Sequence, residues 1–87
     1  MVSIFGKEWG KATARGDIEQ YVRGVRRISE NWVIGHLKFV MRFSEVTKDF
    51  LFQVMSEIET SHIYEPLQTP ERMIKLKKLR IRIEKEL

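Results

Sequence analysis

The sequence predicts an all-α fold: a small bundle of three to four helices completed by dimerisation. Three observations predict it. Apolar residues recur at helical spacing through residues 17–62 and again through 69–87. Helix start signals stand at Asp17, Ser44 and Thr69-Pro70-Glu71. The stretch Trp32–Phe43 is apolar on every side, and a helix of that kind must be covered on every side. A chain of 87 residues buries only about 60–65% of its unfolded surface, so its stability is marginal without help. There is no cysteine, hence no disulfide and no Cys-based zinc site. A second subunit is the common remaining support for so small a domain.

One domain, 1–87, is expected, divided into an N-terminal arm or short helix (1–16), core helices (17–62), a linker (63–68) and a basic C-terminal helix (69–87). In the first part Ile4, Phe5 and Trp9 are close enough to be buried by one and a half helical turns, against the helix-weakening Gly6, Gly10 and Gly16. The run Gly6-Lys7-Glu8-Trp9-Gly10-Lys11-Ala12-Thr13 falls short of a phosphate loop. Three residues rather than four separate its glycines, and Ala12 stands where a magnesium-binding hydroxyl is needed. Arg15-Gly16-Asp17 spells an adhesion tripeptide, read here as a loop and a helix cap.

Asp17 is expected to open a helix as N-cap, with Gln20 reaching back in capping-box spacing. Ile18, Tyr21, Val22, Val25, Ile28 and Trp32 then share one core-facing stripe. Arg23, Arg26 and Arg27 fall on the opposite face, suited either to solvent or to phosphates. Ser29-Glu30-Asn31 offers a second cap, so Asp17–Phe43 is one helix or two. Beyond it, Lys38 and Arg42 mark the face that meets water, and His36 reads as a packed residue rather than a ligand.

Ser44 and Glu45 suit the next helix start. Val46, Phe50, Leu51, Val54, Met55, Ile58 and His62 spread over about half its circumference, and Phe52 lies outside that arc, exposed or at an interface. Glu59-Thr60-Ser61-His62 has the spacing of carboxylate di-metal bundles but occurs once, so no metal is expected. Pro66 disfavours helix at Glu65, making 63–68 the linker. Thr69-Pro70-Glu71 supplies N-cap, N1 proline and first-turn acid for the last helix. There Met73, Leu76, Leu79, Ile83 and Leu87 make one stripe, and Ile74 and Ile81 a second. The alternation across 79–83 also permits a strand, but the start signal and the Lys/Glu/Leu content favour helix.

Charge is uneven: net +4 over residues 1–43, −4 over 44–68 and +4 over 69–87. The acidic middle is expected to pair with its basic neighbours, each exposed pair contributing about 0–1 kcal/mol. No catalytic residue set and no cofactor site is recognisable. The leading expectation is a helical interaction or adaptor module that forms a homodimer and binds a partner protein, with Trp32, Phe39, Phe43, Phe52, Ile74 and Ile81 as interface residues. The alternative is a dimeric nucleic-acid-binding regulator contacting phosphates through Arg23, Arg26, Arg27, Lys75, Lys78 and Arg82. Membrane-surface adsorption through a basic amphipathic helix is the third class. Insertion into a membrane is not expected, because the longest apolar run is shorter than the roughly 20 residues a span needs. Met1–Phe5 lacks the features of a secretory signal, and a cytoplasmic location is expected.

Overall fold

The computed structural model describes residues 6–87, excepting the Lys7 side chain. The expectation for Ile4 and Phe5 lies outside the described residues. The chain forms α1 (Lys7–Arg23), α2 (Glu30–Ser44), α3 (Lys48–Thr60), a 3-10 segment (His62–Leu67) and α4 (Pro70–Glu86). The described residues contain no strand, which removes the alternative at 79–83. The Cα radius of gyration is 12.5 Å, close to the ~12 Å of a compact chain of this length.

The helix boundaries follow local chemistry. Gly24 adopts φ 86°, and its N–H donates to the carbonyls of Gln20 and Tyr21, closing α1. The Val25 N–H donates to Gln20 O at 3.1 Å, completing a Schellman-type end. The single stripe expected through Val25, Ile28 and Trp32 is therefore broken, because the left-handed turn at Gly24 re-aims the chain. Ile28 is buried from the turn instead. Ser29 caps α2 through the Trp32 N–H at 3.1 Å, so Asp17–Phe43 is two helices. Thr47, not Ser44, caps α3, accepting from the Phe50 N–H at 3.2 Å. Ser44 ends α2 fully buried, its hydroxyl donating back to the Val40 carbonyl. Glu45 makes the intervening turn at φ 61°. Thr69 caps α4 with Pro70 in its first turn.

Two further expectations are corrected. Asp17 does not open a helix: α1 begins ten residues earlier, at Lys7, and Asp17 lies buried in its interior. Arg15-Gly16-Asp17 is correspondingly helical rather than a loop. Residues 63–68 join α3 to α4 largely as the 3-10 segment, with Tyr64 and Leu67 buried in it. Gln68 Nε2 holds the end of α3 by donating to Ile58 O at 3.0 Å and Ser61 O at 2.8 Å.

All four α-helices contribute to one core. Ile18 and Val22 of α1, Val33, Leu37 and Val40 of α2, Leu51, Val54, Met55 and Ile58 of α3, and Leu76, Leu79 and Ile83 of α4 are essentially inaccessible. The seven-residue return of Leu76 and Ile83 and the i, i+3/i+4 spacing elsewhere put these residues on one face of each helix.

The α1–α2 packing is the most extensive helix pair, and it is antiparallel. Gly10 meets Ser44 near one end, and Tyr21 meets Glu30 near the other. A Cβ at Gly10 would collide with the Ser44 side chain and with Val46, whereas one at Gly16 meets nothing within 4 Å. Replacing Gly10 with Ala should therefore destabilise by about 2–3 kcal/mol through overpacking. Gly16→Ala should stabilise by about 0.5–1 kcal/mol through helix propensity, and Gly24→Ala should cost about 1 kcal/mol for its left-handed backbone. Chemical denaturation of the three variants reads this order directly.

Candidate functional site

The feature of α2 that the core does not use is a row of aromatic rings. Trp32, His36, Phe39 and Phe43 are four, three and four residues apart, so they line one flank of the helix. The ring centroids of Trp32 and His36 are 4.7 Å apart and tilted. Those of His36 and Phe39 are 6.1 Å apart and near parallel. Phe39 and Phe43 follow at 4.8 Å, tilted. The Arg42 guanidinium lies 5.6 Å from the Phe43 ring centroid. Trp32 and Phe39 are each 42% exposed. Trp9, at the Gly10–Ser44 end of α1, is 38% exposed.

The flank is open because α1 presents small or polar groups to the adjoining side of α2. Gly10 and Ala14 permit close approach, and Asp17 meets His36 Nδ1 at 2.6 Å. Asp17 is nearly covered, whereas the His36 side chain retains 31% exposure. His36 is thus held by α1 on one side and stacked between Trp32 and Phe39 on the other. Burial pushes the Asp17 carboxyl above the usual range, and the charge and hydrogen bond of His36 oppose that rise. At the far end of the same seam the Tyr21 hydroxyl donates to Glu30 at 3.1 Å. Burial chiefly, then Glu30, pushes that hydroxyl up to about 12, against the opposing charge of Arg82.

The six residues expected at an interface divide into three places. Trp32, Phe39 and Phe43 share the α2 flank. Phe52 packs half-buried against the core. Ile74 and Ile81, 57% and 50% exposed, lie on the outward face of α4. The six cations expected at a nucleic acid are also dispersed. Arg26 and Arg27 sit exposed in the α1–α2 turn rather than on a helix. Arg23 stands at the end of α1, 4.0 Å from Glu19. Lys75 Nζ donates to the Tyr21 carbonyl at 2.7 Å and lies 4.3 Å from that ring's centroid. Arg82 donates to Glu86, Glu30 and Asn31. Lys78 is exposed on α4. Arg23, Arg72 and Lys75 do line one open notch of about 580 Å³ between the end of α1 and the start of α4.

No group of three or more potential metal ligands occurs among the described residues. Glu59 is engaged by Arg80 at 2.5 Å, and His62, outside α3, is exposed and pairs with Glu65 at 2.8 Å. Residues 7–13 of the phosphate-loop-like run are helical. No helix among the described residues is long and apolar enough to cross a membrane.

The Asp17–His36 contact leaves no local mark in the sequence, because its partners are 19 residues apart on different helices. The aromatic row was visible in part, and the four–three–four spacing is the signal that joins His36 to it. No protein-family profile matches the chain, and neither curated proteins nor solved structures yield a match.

The seam makes a pH prediction. A carboxyl whose pKa is raised by folding favours the folded state while protonated, and loses that contribution as pH climbs through its folded value. The stability of the wild type relative to Asp17→Asn should therefore fall as pH rises from the ordinary Asp value of 3.8. Denaturation curves of both proteins through the carboxylate range measure the sign.

Proposed function

We propose that this chain is a helical protein–protein interaction module that self-associates through the aromatic flank of α2. The observation that carries the reading is the partly exposed row of contacting rings Trp32–His36–Phe39–Phe43, which lies between the core-packed face of α2 and its polar face at Asn31, Lys38 and Arg42. Large aromatics are the residues that most often anchor interfaces, because they bury much area at little entropic loss. The row is held in place before any partner arrives, since His36 is fixed by Asp17 and each ring rests on the next. A symmetric pairing would lay one row against its copy, and Arg42 and Lys38 would border it as the polar rim. The same surface would serve a further partner protein presenting an apolar helix. A cytoplasmic setting belongs to this proposal, resting on the lack of cysteine.

The nucleic-acid reading draws less support. Lys75 and Arg82 are engaged by partners within the bundle, which leaves Arg23, Arg26, Arg27 and Lys78 without a common helix face.

Light scattering on the eluting protein tests the proposal. At about 50 µM, within reach of a standard-size interface, the mass should be twice the 10.4 kDa of one chain. Phe39→Glu and Trp32→Glu should each weaken association at least tenfold while leaving the helical circular dichroism unchanged. A wild-type monomer at that concentration refutes self-association through this row.

A further inference from the structure

The outward face of α4 points to a second interaction, independent of the aromatic row. α4 carries its basic residues in two groups. Arg72 donates to Pro66 O, Lys75 to Tyr21 O, Arg80 to Glu59 and Arg82 to Glu30, Asn31 and Glu86. These four are held by the protein itself. Lys77, Lys78 and Lys85 are exposed, and among the described residues they make no ion pair or hydrogen bond. They share a sector of about 100° with Ile74 and Ile81, the two exposed isoleucines of this helix. Glu71 borders the ridge in the first turn. Glu84 borders it on the α3 side, where Lys48 Nζ donates to its carbonyl at 3.0 Å.

We propose that this ridge docks the protein on an anionic lipid surface, with Ile74 and Ile81 entering the headgroup–acyl boundary and Lys77, Lys78 and Lys85 reaching lipid phosphates. Charge complementarity selects the partner's sign, since the three unengaged lysines outnumber the two carboxylates that flank them, Glu71 and Glu84, which are likewise unpaired among the described residues. Shape selects the class. The ridge is convex and five side chains wide, against the roughly 20–30 residues each side of a standard protein interface. A bilayer asks for no complementary groove. Lysines beside exposed isoleucines suit its interface, because their methylene stems extend along apolar neighbours while the ammonium stays in water. At 17 residues with seven Lys/Arg, α4 lies on such a surface and does not cross it. Three lysines and two isoleucines make binding weak and reversible, steeply dependent on salt and on anionic lipid content.

The test is co-sedimentation of the full chain with phosphatidylcholine vesicles containing about one third phosphatidylserine, and with phosphatidylcholine alone. Binding to the first and not the second is expected, weakening at least tenfold as salt rises from roughly 50 to 300 mM. Lys77→Glu/Lys78→Glu/Lys85→Glu should abolish it. Ile74→Ser/Ile81→Ser should lower it at least tenfold at unchanged charge. These side chains point away from the core, and thermal melts of both variants check that the fold is retained. Absence of binding to phosphatidylserine vesicles overturns the proposal, as does equal binding to both vesicle types. Retention of full binding by the isoleucine variant overturns it too. Poly-glutamate serves as a competing probe: capture of it with the same dependence on Ile74 and Ile81, and no vesicle binding, would assign the ridge to an acidic protein instead.

Discussion

The antiparallel seam between α1 and α2 sets most of what this molecule presents to its surroundings. It is narrow where Gly10 faces Ser44, polar where Asp17 meets His36, and closed by Tyr21 on Glu30. Each of these contacts uses a small or polar group. A side chain at Gly10 would collide with Ser44 and Val46 and force α1 away from α2. With this close seam Val33, Leu37 and Val40 face the core, while Trp32 and Phe39 remain partly exposed. One nearly buried carboxylate in the middle of α1 is the electrostatic burden of this arrangement, and His36 offsets it. The histidine also belongs to the aromatic row, so the packing of the bundle and the order of its exposed surface depend on one contact.

The uneven charge of the sequence has a structural counterpart. Acidic residues of α3 lie against basic residues of other helices: Arg15 pairs with Glu57 at 2.6 Å and Arg80 with Glu59 at 2.5 Å. The Tyr64 hydroxyl donates to Glu19 at 2.6 Å and accepts from Arg15 at 3.2 Å, which ties the 3-10 segment to α1. These pairs are roughly one-third exposed, so each contributes about 0–1 kcal/mol. Their larger consequence is directional. They hold Arg15 and Arg80 within the bundle, as Glu30 holds Arg82, while Arg26, Arg27, Lys77, Lys78 and Lys85 face outward.

Element type and the core were legible where the cause was local. Thr69-Pro70-Glu71 marks the start of α4, and the Leu76–Leu79–Ile83 stripe marks its buried face, because capping and periodicity need only near neighbours. The α1 boundary differs from the expectation because Asp17 is a good cap in isolation, and its role as a buried partner of His36 exists only after α1 and α2 meet. The Gly24 stop is a local signal, glycine after an amphipathic run, but it lies inside an apolar periodicity that continues through Ile28 and Trp32. For the surface, Trp32, Phe39, Ile74 and Ile81 are exposed as surplus apolar residues, whereas Phe52 is taken up by the core edge. Lys75 and Arg82 could not be told from Lys78 by composition, because their partners lie on other helices.

If surplus apolar surface on α2 brings two copies together, folding and association are linked, and the melting temperature must depend on protein concentration. Thermal unfolding followed by circular dichroism from the micromolar range to hundreds of micromolar tests this most directly. The dimer account predicts a melting temperature rising by about 4 °C for each tenfold increase in concentration. A melting temperature constant across that range would contradict it and leave the aromatic row as the surface of a monomer.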